Sequence, residues 1–235
     1  MRFKAFQDHA HRFWAQIPAR FRSGATLMVH REPWPDPEYP EVFLLGLCEP
    51  AFAALEDALA WSGDVRLEER QSLVHLYYGS FQAMGERARA FDWIYELEET
   101  LLHELTHHWE HRAGLDGLDR FDLAQITNFR RLRGEPVARF FWRGGEPRGP
   151  GRWHIDGDLF VEVAEAPPWR VQDAQGQWVT CRPDPQDGFA TVPGHGEVFD
   201  GERGDLVVAQ SPPERPNWLR RLWRRLRGKD GQAPC

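Results

Sequence analysis

Cysteine is scarce in this chain. Its three residues, Cys48, Cys181 and Cys235, are scattered, odd in number and without the paired spacing of a metal finger. That pattern argues against a disulfide-stapled scaffold and predicts reduced thiols, with Cys48 and Cys181 packed. Long apolar runs are missing as well, and nothing approaches the roughly eighteen residues of a membrane span. The opening Met1-Arg-Phe-Lys-Ala-Phe6 lacks the apolar stretch of a signal peptide. Positive charge is in deficit, with 29 Lys+Arg against 36 Asp+Glu for a net charge of −7. The chain as a whole is therefore not expected to bind nucleic acid by electrostatics. Together these absences predict a cytoplasmic protein.

What is present is enough for real cores. The 235 residues are 41% hydrophobic and 13% aromatic, including 11 Trp, which argues against disorder. The most informative stretch is Glu99-Thr-Leu-Leu-His103-Glu104-Leu-Thr-His107-His108-Trp-Glu-His111. Within it, His-Glu-x-x-His places His103 and His107 four residues apart, on one face of a helix. Two imidazoles so spaced can hold one zinc ion, with Glu104 beside a zinc-activated water as general base. Apolar Ile94, Leu97, Leu101, Leu102, Leu105 and Trp109 recur at helical spacing through this stretch. Asp92 reads as the N-cap and Gly114 as the stop, which predicts a helix of about twenty residues. His108 and His111 point elsewhere on that helix and read as supporting or surface residues.

A catalytic zinc takes three protein ligands plus water. A third histidine in the common pattern would fall at Ala113. The segment after Gly114 offers Asp116, Asp119 and Asp122 instead. Asp116 reads as the cap of a following helix. Asp119 is the expected third ligand, with Asp122 the alternative. Glu110, seven residues along a straight helix from His103, lies too far.

The core Glu99-Thr-Leu-Leu-His-Glu-Leu-Thr-His-His108 resembles that of the small bacterial zincin-like metallopeptidase family. Similar elements lie upstream: an N-terminal helix ending near Ile17-Pro18, a strand at Ala25–His30, Leu44-Leu45-Gly46-Leu47, and a strand near Leu73–Tyr78. The likeness covers roughly residues 5–125. It implies a compact α+β core built around a zinc-binding helix. In such proteins the strand before the metal helix often borders the cleft, so Ser72–Tyr78 is expected to offer an open edge to an extended peptide. This chain departs from the pattern at Trp109–Ala113, which lengthens the helix by about one turn.

The remaining organisation follows from local signals. Residues 5–17 read as an amphipathic helix, Val42–Leu47 as a short strand, Phe52–Trp61 as a short helix and the proline-rich 32–40 stretch as a loop. Beyond about residue 130, β-like runs take over: Val137–Trp142, Asp158–Ala164, Gln177–Cys181, Phe189–Val192 and Asp205–Ala209. Gly157-Asp-Leu-Phe-Val-Glu-Val163 and Gly204-Asp-Leu-Val-Val208 resemble the C-terminal β-domain of DnaJ-type co-chaperones. Gly-Asp turns feeding strands account for them equally well. His154 and His195 read as hydrogen-bonded surface residues. Residues 212–235 carry seven Lys/Arg against two Asp/Glu. There Trp218, Leu219, Leu222, Trp223 and Leu226 share one helical face, which suits weak association with anionic membrane or an acidic partner, or packing on the acidic body.

The expected organisation is α+β: a zincin-like domain at 1–130, a β-rich domain at 131–211 and a basic amphipathic tail at 212–235. The expected function is that of a zinc (Zn2+) metallopeptidase-like hydrolase acting on a peptide or protein substrate. Its site comprises His103, His107 and Asp119 as ligands and Glu104 as base. The alternative is a non-catalytic zinc-containing module that binds peptide or protein as an adaptor or chaperone does.

Overall fold

The computed structural model describes residues 1–50, 71–88, 90–199 and 201–212. The expected helix at Phe52–Trp61 and all but the first residue of the basic tail lie outside these residues. The chain is mixed α and β and divides into two units, Met1–Asp119 and Arg120–Cys235. Among the described residues, no helix is long and apolar enough to cross a membrane.

The first unit opens with helix α1 (Phe3–Gln16), which buries Phe6 and Ala10 four residues apart on one face. Strands β1 (Ala25–His30), β2 (Gly46–Pro50) and β3 (Ser72–Tyr77) form one sheet in the order β1-β3-β2. The central β3 runs parallel to β1 and antiparallel to β2. This corrects the open edge expected of Ser72–Tyr78, because both sides of that strand are occupied. Its central position suits its residues, since only Leu73 is less than buried in Ser72–Tyr77 and a doubly paired strand is the most enclosed place in a sheet. The edges belong to β1 and β2.

Helices α2 (Tyr78–Arg87) and α3 (Trp93–Ala113) follow. Because side chains alternate across a strand, Leu27, Cys48, Val74 and Leu76 share one face of the sheet, where they pack with Leu97, Leu101 and Leu105 of α3. The other face stacks His30 on His75 and on Tyr77, at ring separations of 5.0 and 4.9 Å.

The strand expected at Val42–Leu47 starts later, at Gly46. Residues 42–44 instead fold back on the proline-rich loop: the Leu44 N–H donates to Trp34 O and the Asp36 N–H to Val42 O, at 2.9 and 2.8 Å. The Asp36 carboxylate accepts from the Glu38 and Tyr39 N–H groups and closes that loop locally.

Helix α4 (Gly117–Leu132) runs through the division between the units. In the second unit, strands β4 (Glu146–Gly149), β5 (Arg152–Ile155), β6 (Asp158–Val163), β9 (Phe189–Val192) and β12 (Leu206–Gln210) form a sheet ordered β4-β5-β6-β12-β9. Only β6 and β12 run parallel. Two small ribbons accompany it, β7 (Trp169–Gln172) with β8 (Trp178–Cys181), and β10 (Val198–Phe199) with β11 (Glu202–Arg203).

Val137–Trp142 is not the strand its composition suggested. Phe140 takes a left-handed φ of 65° and Phe141–Gly144 coil into a 3-10 turn. That turn drives Trp142 into the core, stacked 5.4 Å from Phe160. Gly144 permits the path, since a Cβ there would lie 2.4 Å from Arg120 O. Gly157 and Gly204 lie back to back: a Cβ on Gly204 would sit 2.3 Å from the Gly157 carbonyl. Buried Asp158 accepts the Asp205 N–H at 2.6 Å, the Asn128 amide at 2.7 Å and the Arg131 guanidinium at 2.6 Å. The two Gly-Asp motifs thus pair the ends of the parallel strands with α4.

Candidate metal centre

Helix α3 forms where the sequence predicted it, and its ends show why. The Asp92 carboxylate accepts from the Ile94 and Tyr95 N–H groups at 3.0 and 3.2 Å, and Gly114 closes the helix at φ 68°. Leu97, Leu101 and Leu105 hold one face against the sheet. That fixes the rotation of the helix, and with it the direction in which the histidines point.

His103 and His107 lie one turn apart with their Nε2 atoms 3.2 Å from each other. The His107 Nδ1 meets Asp119 Oδ1 at 2.9 Å. A carboxylate accepts only, so His107 donates from Nδ1, and in the neutral ring this turns the lone pair of Nε2 toward His103. Two imidazole nitrogens this close share a proton or a cation. Nitrogens bound tetrahedrally at about 2.0–2.1 Å from one zinc lie roughly 3.3 Å apart, so the separation of the pair is compatible with a shared metal ion.

The carboxylates after the helix divide by position. Asp119 is exposed and binds the far edge of His107, and its Oδ2 also meets His111 Nε2 at 3.1 Å. Asp122, one turn further along α4, is half-buried and lies past the division between the units. His107, His111 and Asp119 each bring one ligand atom to within 4.8 Å of the others, which corrects the expectation that His111 points elsewhere: one turn beyond His107, it shares that residue's face of the helix. Asp116 is exposed on the connection before α4.

Glu104 is only 7% exposed. Its side chain lies against the start of β2, where a Cβ on Gly46 would fall 2.7 Å from Glu104 Cγ and 2.8 Å from Oε1. Only glycine leaves that space, so Gly46 shapes the seat of the carboxylate. The sequence offered a signal for it in the Leu-Leu-Gly-Leu stretch, but no reason for the glycine.

His108 is fully buried, which removes a surface role. Its Nε2 donates to Ser23 O at 3.0 Å, and its Nδ1 meets the Ser72 hydroxyl at 2.8 Å. Burial pushes its pKa below the usual histidine value. It pins α3 to the centre of the sheet through β3.

The extra turn of α3 is also used. Trp109 donates to Phe21 O at 2.7 Å, and Glu110 accepts the Leu118 N–H of α4 at 2.7 Å. Glu110 is therefore a cap for the helix that carries Asp119 and Asp122, a role the sequence did not reveal. In the second unit, His154 Nε2 accepts the Gly157 N–H at 3.1 Å and His195 Nδ1 meets Asp173 at 2.8 Å. Both are hydrogen-bonded, as expected.

No family model matches the chain, and no curated protein matches it. Among solved structures, it is similar to a protein from Thermo thermophilus described as a conserved hypothetical protein. The two are 31% identical over 48% of this chain and 98% of that one, with a TM-score of 0.37.

Proposed function

We propose that this protein is a zinc-dependent metallopeptidase-like hydrolase with a zincin-like core in its first unit. One observation carries the reading: His107 Nε2 faces His103 Nε2 at 3.2 Å, while Asp119 meets the opposite edge of the His107 ring at 2.9 Å. His103 and His107 would hold the ion with a third ligand from α4, Asp119 or Asp122, and Asp119 meets the opposite edge of His107, as orienting carboxylates do for metal-binding histidines elsewhere.

Bound there, zinc would supply Lewis acidity to a carbonyl oxygen and acidify a water molecule. Glu104 would take the proton of the attacking water and deliver it to the amide nitrogen as the C–N bond breaks. Its burial against Gly46 keeps the carboxylate largely out of water. A peptide or protein is the substrate class that this chemistry serves.

Metal analysis by mass spectrometry, on protein purified without chelator, tests the assignment. Wild type should carry about one zinc per chain. His103→Ala should lose it, and so should whichever of Asp119→Ala and Asp122→Ala removes the third ligand, whereas loss of an orienting partner alone weakens retention by roughly 10–100-fold. Glu104→Gln should keep zinc and lose hydrolysis of a peptide library. Zinc present with no hydrolysis in wild type would move the reading to a non-catalytic zinc module, and no zinc at all would sink both.

A further inference from the structure

We infer that His111 and Asp119 form a second, weaker divalent-cation site that competes with the orienting hydrogen bond on His107. The inference rests on the reading above only in that His107 is common to both groups. His111 Nε2 lies 3.1 and 3.3 Å from the two oxygens of Asp119, so one imidazole edge faces a whole carboxylate. The side chains are 29% and 47% exposed, so an ion could reach them from solvent and keep several waters. With His107, these residues bring one ligand atom each to within 4.8 Å of one another. Imidazole plus carboxylate suits zinc or cobalt more than calcium or magnesium.

The two sites would oppose each other. His107 presents Nε2 to one and Nδ1 to the other, and Asp119 accepts from Nδ1 at 2.9 Å. A cation drawn to His111 and Asp119 takes up the carboxylate that orients His107. The ring then loses the partner that fixes its tautomer, and the first ion is held less well. By linkage, the first ion weakens the second to the same degree. The protein would therefore fill one site at low zinc and be inhibited as the second fills.

Equilibrium dialysis against increasing zinc, on the full chain, reads this without reference to activity. Wild type should bind two zinc per chain in a tight and a weak class. His111→Ala and His111→Gln should bind one, in the tight class. Circular dichroism of each variant confirms that it is folded, and agreement of the two keeps the result independent of any one replacement. In parallel, the ratio of hydrolysis at excess zinc to hydrolysis at stoichiometric zinc should rise at least several-fold in both variants. A single zinc in wild type at saturation, or a weak class unchanged by both substitutions, overturns the inference. Absence of the tight class with a weak class lost in the His111 variants would uphold this site and overturn the hydrolase reading.

Discussion

The Glu110 carboxylate accepts the backbone N–H of Leu118 at 2.7 Å. The helix that presents the paired histidines thereby caps the helix that presents Asp119 and Asp122. A free helix N-terminus leaves donors unsatisfied, and an acidic side chain there meets both the hydrogen bond and the helix dipole. Gly117 sits so close that a Cβ on it would lie 3.0 Å from Glu110 Oε1. The turn between the two helices is thus closed by one side chain.

Removing that side chain should cost stability and loosen the metal centre together. Glu110→Ala is expected to lower the unfolding free energy by about 1 kcal/mol, the usual scale of a lost cap. Zinc retention should fall in parallel, because α4 carries the carboxylates. Urea unfolding with zinc dialysis on the same samples checks this, and unchanged retention would separate the cap from the site.

Gly46→Ala tests the seat of Glu104. Its Cβ would lie 2.7 Å from Glu104 Cγ, closer than real contacts allow. The carboxylate must shift, at about 1–3 kcal/mol for an overpacked position. Because Gly46 faces Glu104 and not the histidines, hydrolysis should drop far more than zinc content. Equal losses of both would place the effect in the fold.

In the second unit, Arg131 is the countercharge of Asp158, whose side chain is only 3% exposed. Arg131→Met should destabilise by about 3–5 kcal/mol, since it strands a buried carboxylate. Adding Asp158→Asn should recover part of that loss, as the amide oxygen can still accept the Asp205 N–H. A double variant no more stable than Arg131→Met would contradict the pairing.

Stability should also depend on pH at both ends. Burial lowers the His75 pKa from 6.5, and raises Cys48 from 9.0 to about 11 and Tyr77 from 10.0 to about 12. As pH falls below 6.5 the unfolded chain takes up a proton at His75 that the folded chain resists, so stability falls. As pH rises above 9.0 the unfolded chain releases the Cys48 proton while the folded chain keeps it, so stability falls again, with Tyr77 adding to the loss from 10.0. Urea midpoints should be flat between those limits and decline outside them. Cys48→Ala should shrink the loss above pH 9.0 without abolishing it, because burial also raises Cys181 from 9.0, and Tyr77 adds its part from 10.0. A midpoint that keeps rising past pH 9.0 would refute the assignment.

Much of the candidate site was legible before folding because its parts are local. The four-residue spacing of His103 and His107, the apolar stripe beneath them, the Asp92 cap and the Gly114 stop all act within one helix. Each can be read from neighbours in sequence. The contact of Asp119 with His107 and His111 was not legible, because it depends on how the start of α4 returns beside α3. The place of Ser72–Tyr77 in its sheet was hidden for the same reason: strand order arises from pairings with residues 25–30 and 46–50, and no local pattern encodes it. The burial of Trp142 in a 3-10 turn likewise needed Phe160 across the core to stack upon. The sequence by itself determined which residue types could bind a metal and on which helix they stand. Tertiary structure decided which edge of each imidazole faces which carboxylate, because that geometry exists only once two helices and a sheet are packed.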